Sequence, residues 1–319
     1  MENPKPAMPE SGTRNTNPQI HLLTPQNWTD YELLDSGGFE KLERFGAYVL
    51  ARPEPQAVWD KSLPETDWQR ADALFRKEKN NPDKGQWETK PGTPERWPMR
   101  YQTDDLNLAF KVALSAFKHV GVFPEQAVNW DYIIKKTKAL KNPSPLGGGR
   151  EGASLLNLFA YTGGASLAAK TAGAEVTHVD SVKQVISWSR ENMEASGLDN
   201  IRWMVEDAMK FVKREVRRGN RYQGIILDPP AYGRGPEGEK WLLEEQINEM
   251  LKLCQQLLDP ERHFFILNVY SLGFSSLIVD NLVRSCFGEV RNPEFGELYL
   301  EDSFGKKLPL GVFHRFSSV

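Results

Sequence analysis

The chain has 319 residues, of which 40 are basic and 43 acidic, a formal charge of −3 near neutral pH and a hydrophobic fraction of 39%. The near-balance of charge excludes a global basic field and confines any nucleic-acid contact to local patches. Two cysteines exclude a disulfide framework and fit a reducing compartment. The start, "MENPKPAMPESGTRNTNPQ", is too polar and Pro-rich for a secretory signal, and no apolar run approaches the ~20 residues of a membrane span. The expectation is a cytoplasmic protein of two domains with no membrane contact.

In chain order, residues 1–18 read as a disordered tail. Residues 19–115 read as an N-terminal β-rich domain. "YELLDSGGFEKLERFGAYVLARPEP" carries a Ser-Gly-Gly turn and a second turn at Phe45-Gly46, and "AYVLARP" is a strand. Residues 60–100 have no clear period and read as an irregular extension packed by its tryptophans. "LNLAFKVALSAF" favours a strand, and "PEQAVNWDYIIKKTKAL" a helix with Pro124 in its first turn. "KNPSPLGGGREG" is a loop by composition.

From there strands and helices alternate. "SLLNLFA", "EVTHVD", "IRWMVED", "YQGIILDPP" and "HFFILNVYS" are strands. "ASLAAKTAG", "VKQVISWSRENMEASG", "AMKFVKREVRRG", "GEKWLLEEQINEMLKLCQQLL" and "SSLIVDNLVRSCF" are helices. "GELYLEDSFGKKLPLGVFHRF" reads as two final strands, one of them antiparallel. Residues 116–319 are therefore expected to form a doubly wound, Rossmann-like α/β domain on a mostly parallel sheet.

The stretch "LLNLFAYTGGASLAAKTAGAEVTHVD" runs strand, glycine turn, helix, strand, acid. Gly163 and Gly164 let backbone approach a ligand, and Asp180 at the end of the second strand can accept both hydroxyls of a ribose. A dinucleotide site asks for G-x-G-x-x-G so that the helix N-terminus meets a pyrophosphate. Here the glycines are adjacent and the third is missing, which suits a methyl donor such as S-adenosyl-L-methionine, although a Gly-Gly turn also serves plain packing. "WMVEDAMKF" ends the third strand on Glu206-Asp207. Asp207 can accept an adenine amino group or cap the next helix.

"GIILDPPAYGRG" ends a buried strand on Asp228 and two prolines. Pro229 and Pro230 stiffen the turn, so the Asp228 side chain and the Pro229 carbonyl can receive hydrogens from a planar amide or base, while Tyr232 stacks on its plane. The set "LNLFAYTGG", "HVD", "VED" and "IILDPPAYGRG" resembles the class I S-adenosylmethionine-dependent methyltransferases. More narrowly, it resembles the large-subunit ribosomal RNA base methyltransferases that act on cytosine C5 or guanine N7. "GVFPEQAVNW" looks like that family's Gly-Phe-x-Asp-Gln-Arg segment.

The resemblance implies a seven-stranded methyltransferase sheet and roles for named residues. Tyr161, Thr162, Gly163 and Gly164 line the methionine part of the donor, Asp180 holds the ribose, Asp207 the adenine, and Phe123 and Gln126 close over it. Asp228, Pro229, Pro230 and Tyr232 form the reacting end. Glu125 and Ala127 depart from the family's Asp and Arg, and the N-terminal third does not look like the family's RNA-binding PUA domain.

Relatives that methylate cytosine C5 carry a Cys after the fifth strand, where this chain reads "LNVYSLG"; Tyr270-Ser271 cannot replace a thiolate. Cys254 and Cys286 fall in predicted helices and read as small buried residues. Transfer to nitrogen or oxygen needs no covalent intermediate. Lys210, Lys213, Arg214, Arg217 and Arg218 share one helix face, and Lys135, Lys136, Lys138 and Lys141 form a second cluster; both are candidate RNA patches or solvated faces. Arg234 follows the site directly. No metal-ligand spacing is present, and His178 inside a strand reads as structural. The expected function is methyl transfer to a base in RNA, ribosomal RNA favoured. The alternatives are a methyltransferase of a protein amide or small molecule, and a donor-binding protein without catalysis.

Overall fold

A computed structural model describes residues 19–26, 28–78, 81–115, 117–141, 152–270 and 273–319, with backbone only for 81–84. The stretch read as a disordered tail, 1–18, and most of the loop "KNPSPLGGGREG" lie outside the described residues.

The first strand, β1 (Ile20–Leu23), is followed by β2 (Tyr31–Gly37), β3 (Glu40–Phe45), β4 (Tyr48–Pro53), the single turn α1 (Glu65–Trp68), β5 (Ala73–Glu78), β6 (Asn81–Thr89), β7 (Arg96–Gln102) and β8 (Asn107–Ala113). A 3₁₀ turn (Pro124–Gln126) leads into α2 (Ala127–Lys141). The alternating part contains β9 (Ser154–Leu158), α3 (Gly164–Thr171), β10 (Glu175–Asp180), α4 (Lys183–Ala195), β11 (Arg202–Val205), α5 (Ala208–Arg217) and β12 (Gly224–Leu227). It continues with β13 (Tyr232–Arg234), β14 (Lys240–Leu242), α6 (Leu243–Leu257), β15 (Phe264–Val269), α7 (Ser276–Phe287), β16 (Glu294–Glu301) and β17 (Lys307–Ser317).

The large sheet has eight strands in the order β1-β16-β17-β15-β12-β9-β10-β11. Only β17 runs against the rest, pairing antiparallel with both β15 and β16. The expected seven strands are present, and β1 adds an eighth by pairing parallel with β16, Ile20 opposite Phe295. Thus β1, inside the stretch read as the N-terminal domain, hydrogen-bonds into the other sheet. The central strands read as continuous apolar runs because helices cover both faces. In β12 and β15 every residue is buried. Two cores lie on opposite faces of the sheet. One holds Trp130, Leu167, Ile226 and Phe264; the other holds Phe211, Ile247, Leu251 and Phe265.

The N-terminal strands form a five-stranded sheet, β2-β3-β4-β5-β6, and a separate β7-β8 hairpin. The region read as irregular, 60–100, thus holds β5, β6 and the start of β7. Its alternation was obscured by charges on exposed faces, as in β7, where every second residue is buried. The β7-β8 hairpin docks on α4: Asn192 Oδ1 accepts from the Lys111 backbone N–H at 2.9 Å, and Trp188 Nε1 donates to the Lys111 carbonyl at 2.7 Å. Trp28, Tyr31, Phe45, Trp97 and Tyr101 share one core with Trp130 of α2, so the N-terminal sheets are packed onto the large one rather than tethered to it. The chain walks from β9 outward to β11 and then returns to the other side of β9 with β12. That reversal opens a crevice at the carboxyl ends of β9 and β12, the place where ligands bind in open α/β sheets.

Candidate active site

The loop after β9 is built under backbone constraint. Phe159 (φ 55°), Tyr161 (φ 48°) and Gly163 (φ 95°) all adopt the left-handed region within five residues. Such conformations cost of order 1–3 kcal/mol each for non-glycine residues and cluster at ligand-binding loops. The partner that holds this loop is Asp180. Its Oδ2 accepts the Tyr161 N–H and its Oδ1 the Val182 N–H, both at 2.9 Å. Burial raises the Asp180 carboxyl above its ordinary range, and the N–H groups of Val182, Tyr161 and Ser181 oppose that shift. These three N–H groups leave one of the carboxylate's four lone-pair sites open. Phe123 packs on Tyr161 with ring centroids 5.2 Å apart, so the segment before α2 does reach the loop.

Three residues expected to face the donor have other work. The Thr162 hydroxyl is buried and donates to the Gly121 carbonyl at 2.5 Å, while Asn192 Nδ2 donates to the Thr162 carbonyl. Thr162 therefore ties the loop to the Gly121–Gln126 segment and does not line the crevice with its side chain. Gly164 begins α3, and a Cβ there would stand 2.6 Å from the Trp130 ring. Its missing side chain serves helix packing, the plain reading of the Gly-Gly turn. Gln126 Oε1 is taken by the amides of Asn129 and Asn268, each at 3.0 Å. Since Trp130 cannot retreat from its stack on Phe110, Gly164→Ala should cost about 1–3 kcal/mol by overpacking. A urea midpoint equal to that of the parent chain would remove this account.

Glu206 and Asp207 follow β11, and the Glu206 N–H donates to the Asp180 carbonyl at 3.1 Å, so this end of β11 lies beside the end of β10. Asp207 Oδ1 accepts the Lys210 N–H at 2.9 Å and caps α5. The capping role expected as one of two is present, and Oδ2 has no hydrogen-bond partner among the described residues. Glu206 is engaged by Arg214 through both oxygens.

Asp228 lies at the carboxyl end of β12, next to β9, with its N–H directed to the Leu158 carbonyl. Its carboxylate has no hydrogen-bond partner among the described residues, and burial pushes it up to about 7. The Pro-Pro turn is pinned from outside, because Trp241 Nε1 donates to the Pro230 carbonyl at 2.7 Å and the Trp241 ring packs on Phe159 at 4.8 Å. The Pro230 carbonyl is thus engaged by Trp241, and the Pro229 carbonyl, the one expected to meet the acceptor, has no partner among the described residues. Trp241 sits on β14, which pairs with β13 as a hairpin. "GEKWLLEEQ" had read as the beginning of a helix, and no local signal marked these three residues as a strand. Tyr232 on β13 is 49% exposed, and Arg234 Nε donates to its hydroxyl at 2.7 Å. The Arg234 carbonyl accepts the Ser181 hydroxyl at 3.1 Å, which brings the hairpin against the Asp180 strand end.

The cationic face of α5 is largely neutralised. Lys210 pairs with Glu237 and Glu239, Lys213 with Glu249, Arg214 with Glu206 and Arg218 with Glu215. Lys138 pairs with Asp105, and Lys136 donates to the Val319 carbonyl. The first cluster is thus mostly paired with carboxylates, whereas in the second only Lys138 has one, and Arg217 and Lys135 have no ion pair among the described residues. Cys254 is buried in α6 with its thiol pushed up by burial, and Cys286 is half-buried in α7. His178 is buried and neutral, bonded to Ser166 Oγ at 3.0 Å, a structural place. Among the described residues no group of three His, Cys, Asp or Glu side chains is arranged to hold a metal, and no helix is long and apolar enough to cross a membrane.

Comparison with known proteins agrees with this architecture. The family described as Conserved hypothetical protein 95 matches residues 144–258. The ribosomal RNA large subunit methyltransferase K/L of Shewanella frigidimarina is 26% identical over 212 residues, covering 62% of this chain and 28% of that protein. The ribosomal RNA large subunit methyltransferase I of Aeromonas hydrophila is 36% identical over 85 residues, covering 26% and 21%. The chain thus spans under a third of the length of these two curated relatives. A crystal structure titled as the SAM-dependent methyltransferase from Agrobacterium tumefaciens superposes with a TM-score of 0.82 at 37% identity, covering 95% of this chain and 96% of that one. A likeness of that identity over nearly the full length of both chains shows that this protein belongs to the class I S-adenosylmethionine-dependent methyltransferases.

Proposed function

We propose that the chain transfers a methyl group from S-adenosyl-L-methionine to a nitrogen or other heteroatom of a base in RNA, ribosomal RNA first, without a covalent cysteine intermediate. Residues 116–319, with β1 added to their sheet, act as the catalytic domain, and the N-terminal strands β2 to β8 as the acceptor-recognition domain. The observation that carries this reading is the partnerless carboxylate of Asp228 on a turn made rigid by two prolines and Trp241. The names of the two curated relatives direct the choice of acceptor.

The donor, when bound, supplies a methyl group already activated by the sulfonium charge. The residues present fit it. Asp180 keeps a lone pair for a ribose hydroxyl, and Asp207 Oδ2 is open to the adenine amino group. Tyr161 and Gly163, both held in the left-handed region, are assigned to the amino-acid tail, with Phe123 packed on Tyr161. On the acceptor side, ionised Asp228 and the Pro229 carbonyl receive N–H groups of a planar base, and the exposed Tyr232 ring stacks on its face. In-line placement by these groups supplies the rate, since holding two reactants in a near-attack geometry is worth several kcal/mol.

Labelled methyl transfer into total RNA tests the reading, with incorporation into protein or small molecules as the outcomes against it. The same assay tests the non-covalent route. With one cysteine buried in the core and neither on the active-site loops, a folded Cys254→Ala/Cys286→Ala variant should keep transfer within a few-fold. Complete loss in that variant would restore a thiolate mechanism.

A further inference from the structure

Tyr270 follows β15, where a cytosine-C5 enzyme would hold its thiol. Its surroundings are unusual in charge. The Tyr270 hydroxyl donates to Glu54 Oε1 at 2.7 Å, and Glu54 belongs to the chain just after β4 of the N-terminal sheet. Glu54 is 2% exposed, and its other oxygen lies 3.3 Å from the buried Lys41 ammonium. Behind Lys41, Glu43 accepts from Arg52 at 2.7 and 2.9 Å and from the Tyr31 hydroxyl at 2.9 Å. A buried, fully paired chain of charges therefore starts inside the N-terminal sheet and ends on one tyrosine of the catalytic domain.

Apolar residues of like volume would hold such a junction at least as well, because desolvating ions offsets their attraction. What a charge chain adds is direction: it fixes where the terminal hydroxyl, and hence the ring, is placed. That ring is 39% exposed. It sits at the carboxyl end of β15, the neighbour of β12, with Leu267 opposite Leu227, so Asp228 and Asn268 continue the same register. Adjacent strands are ≈ 4.8 Å apart, which keeps Tyr270 within reach of a ligand held at Asp228. A cleft of about 150 Å³ opens beside it, lined by Gln56, Val269, Phe274, Glu297, Pro309 and Gly311 among others. Val269 precedes Tyr270 in the chain, and the Gln56 side chain hydrogen-bonds the Tyr270 hydroxyl. Its lining is predominantly polar, with the Gln56 amide and the Glu297 carboxylate set beside Val269, Phe274 and Pro309, which suits a flat ring whose edge carries polar groups.

We propose that the Tyr270 ring and this cleft receive the methyl-accepting ring, and that Glu54, reaching in from the N-terminal sheet, is the positioning residue that aims Tyr270 at it. The proposal deepens the RNA-base reading and rests on it for the chemistry of the acceptor. It assigns the N-terminal sheet a part in the site itself: acceptor choice depends on a residue more than 200 positions away in the chain.

The test uses the full chain and labelled S-adenosylmethionine with RNA, protein and small-molecule fractions of a cell extract. The fraction that is labelled decides the RNA reading. The variants, measured on whichever fraction is labelled, decide this inference. Tyr270→Ala should raise the acceptor KM at least about five-fold, the lower end expected for a lost stacking contact. Tyr270→Phe should retain most of the ring's contribution, and Glu54→Gln should raise KM while the ring is intact. In all three, calorimetric affinity for S-adenosylhomocysteine should stay near that of the parent chain, and in the two Tyr270 variants so should the melting temperature; Glu54→Gln should lower it, because Lys41 loses a buried carboxylate. An unchanged acceptor KM in Tyr270→Ala overturns the proposal. So does a loss traced only to donor affinity or stability, or a parent chain that labels no fraction.

Discussion

Asp228→Asn is expected to lower methyl transfer by about 10²–10³, the range seen when one preorganised hydrogen-bonding group is removed from a reacting centre. Donor affinity should barely change, because the carboxylate is proposed to meet the acceptor. The parent chain should also carry a pH signature. Burial without a partner raises Asp228 to about 7, so only part of the population is ionised near neutrality and able to accept an N–H. The kcat/KM should rise with pH through about 7 and level off above it, whereas Asp228→Asn should lose that limb. The stability effect has the opposite sense. The folded chain holds the proton more tightly than the unfolded one, so the contribution of this group to folding falls as pH climbs from about 4 to about 7. A parent profile flat across pH 6–8, or a variant that fails to bind donor while turning over what it binds, would move Asp228 into the cofactor site.

The second large effect concerns Asp180. It is proposed to accept a ribose hydroxyl, and a hydrogen bond to a charged group is worth about 1.5–3 kcal/mol. The same carboxylate also holds the Tyr161 and Val182 N–H groups and so the strained loop. Asp180→Ala should therefore weaken S-adenosylhomocysteine by more than ten-fold and also lower the melting temperature. Asp180→Asn retains an acceptor for part of this work and should separate the two, with a smaller loss of stability and a clear loss of affinity. Calorimetry showing parental affinity in both variants would detach Asp180 from the donor.

The strand-helix alternation from β9 to α7 was legible because each element buries a face, and burial imposes a period on sequence. The two terminal strands without a helix between them likewise announced the antiparallel β17. The N-terminal sheet was harder to read. In β5 to β7 charged residues occupy the exposed faces and mask the apolar period, and the tryptophans that close the core, such as Trp97, look like loop residues until their partners are known. Nor did anything local place Ile20–Leu23 beside β16, since a short edge strand takes its partner from whichever sheet presents a free edge.

The same division runs through the site. By itself the sequence determined which groups stand at the ends of the central strands: the glycine turn before α3, Asp180, Asp207 and the Asp228-Pro-Pro turn. A strand that ends on an acid places that acid at the sheet's carboxyl edge whatever surrounds it. Only the tertiary structure decided how those groups are occupied. Thr162 is drawn to Gly121, Gly164 makes room for Trp130, Gln126 is held by two asparagines, Trp241 takes the Pro230 carbonyl, and Glu54 holds Tyr270. Each of these partners except the neighbouring amide of Asn129 comes from a different structural element than the site residue it meets. A hydrogen bond is satisfied by whatever donor or acceptor the fold brings within about 3 Å, and sequence distance places no limit on that choice.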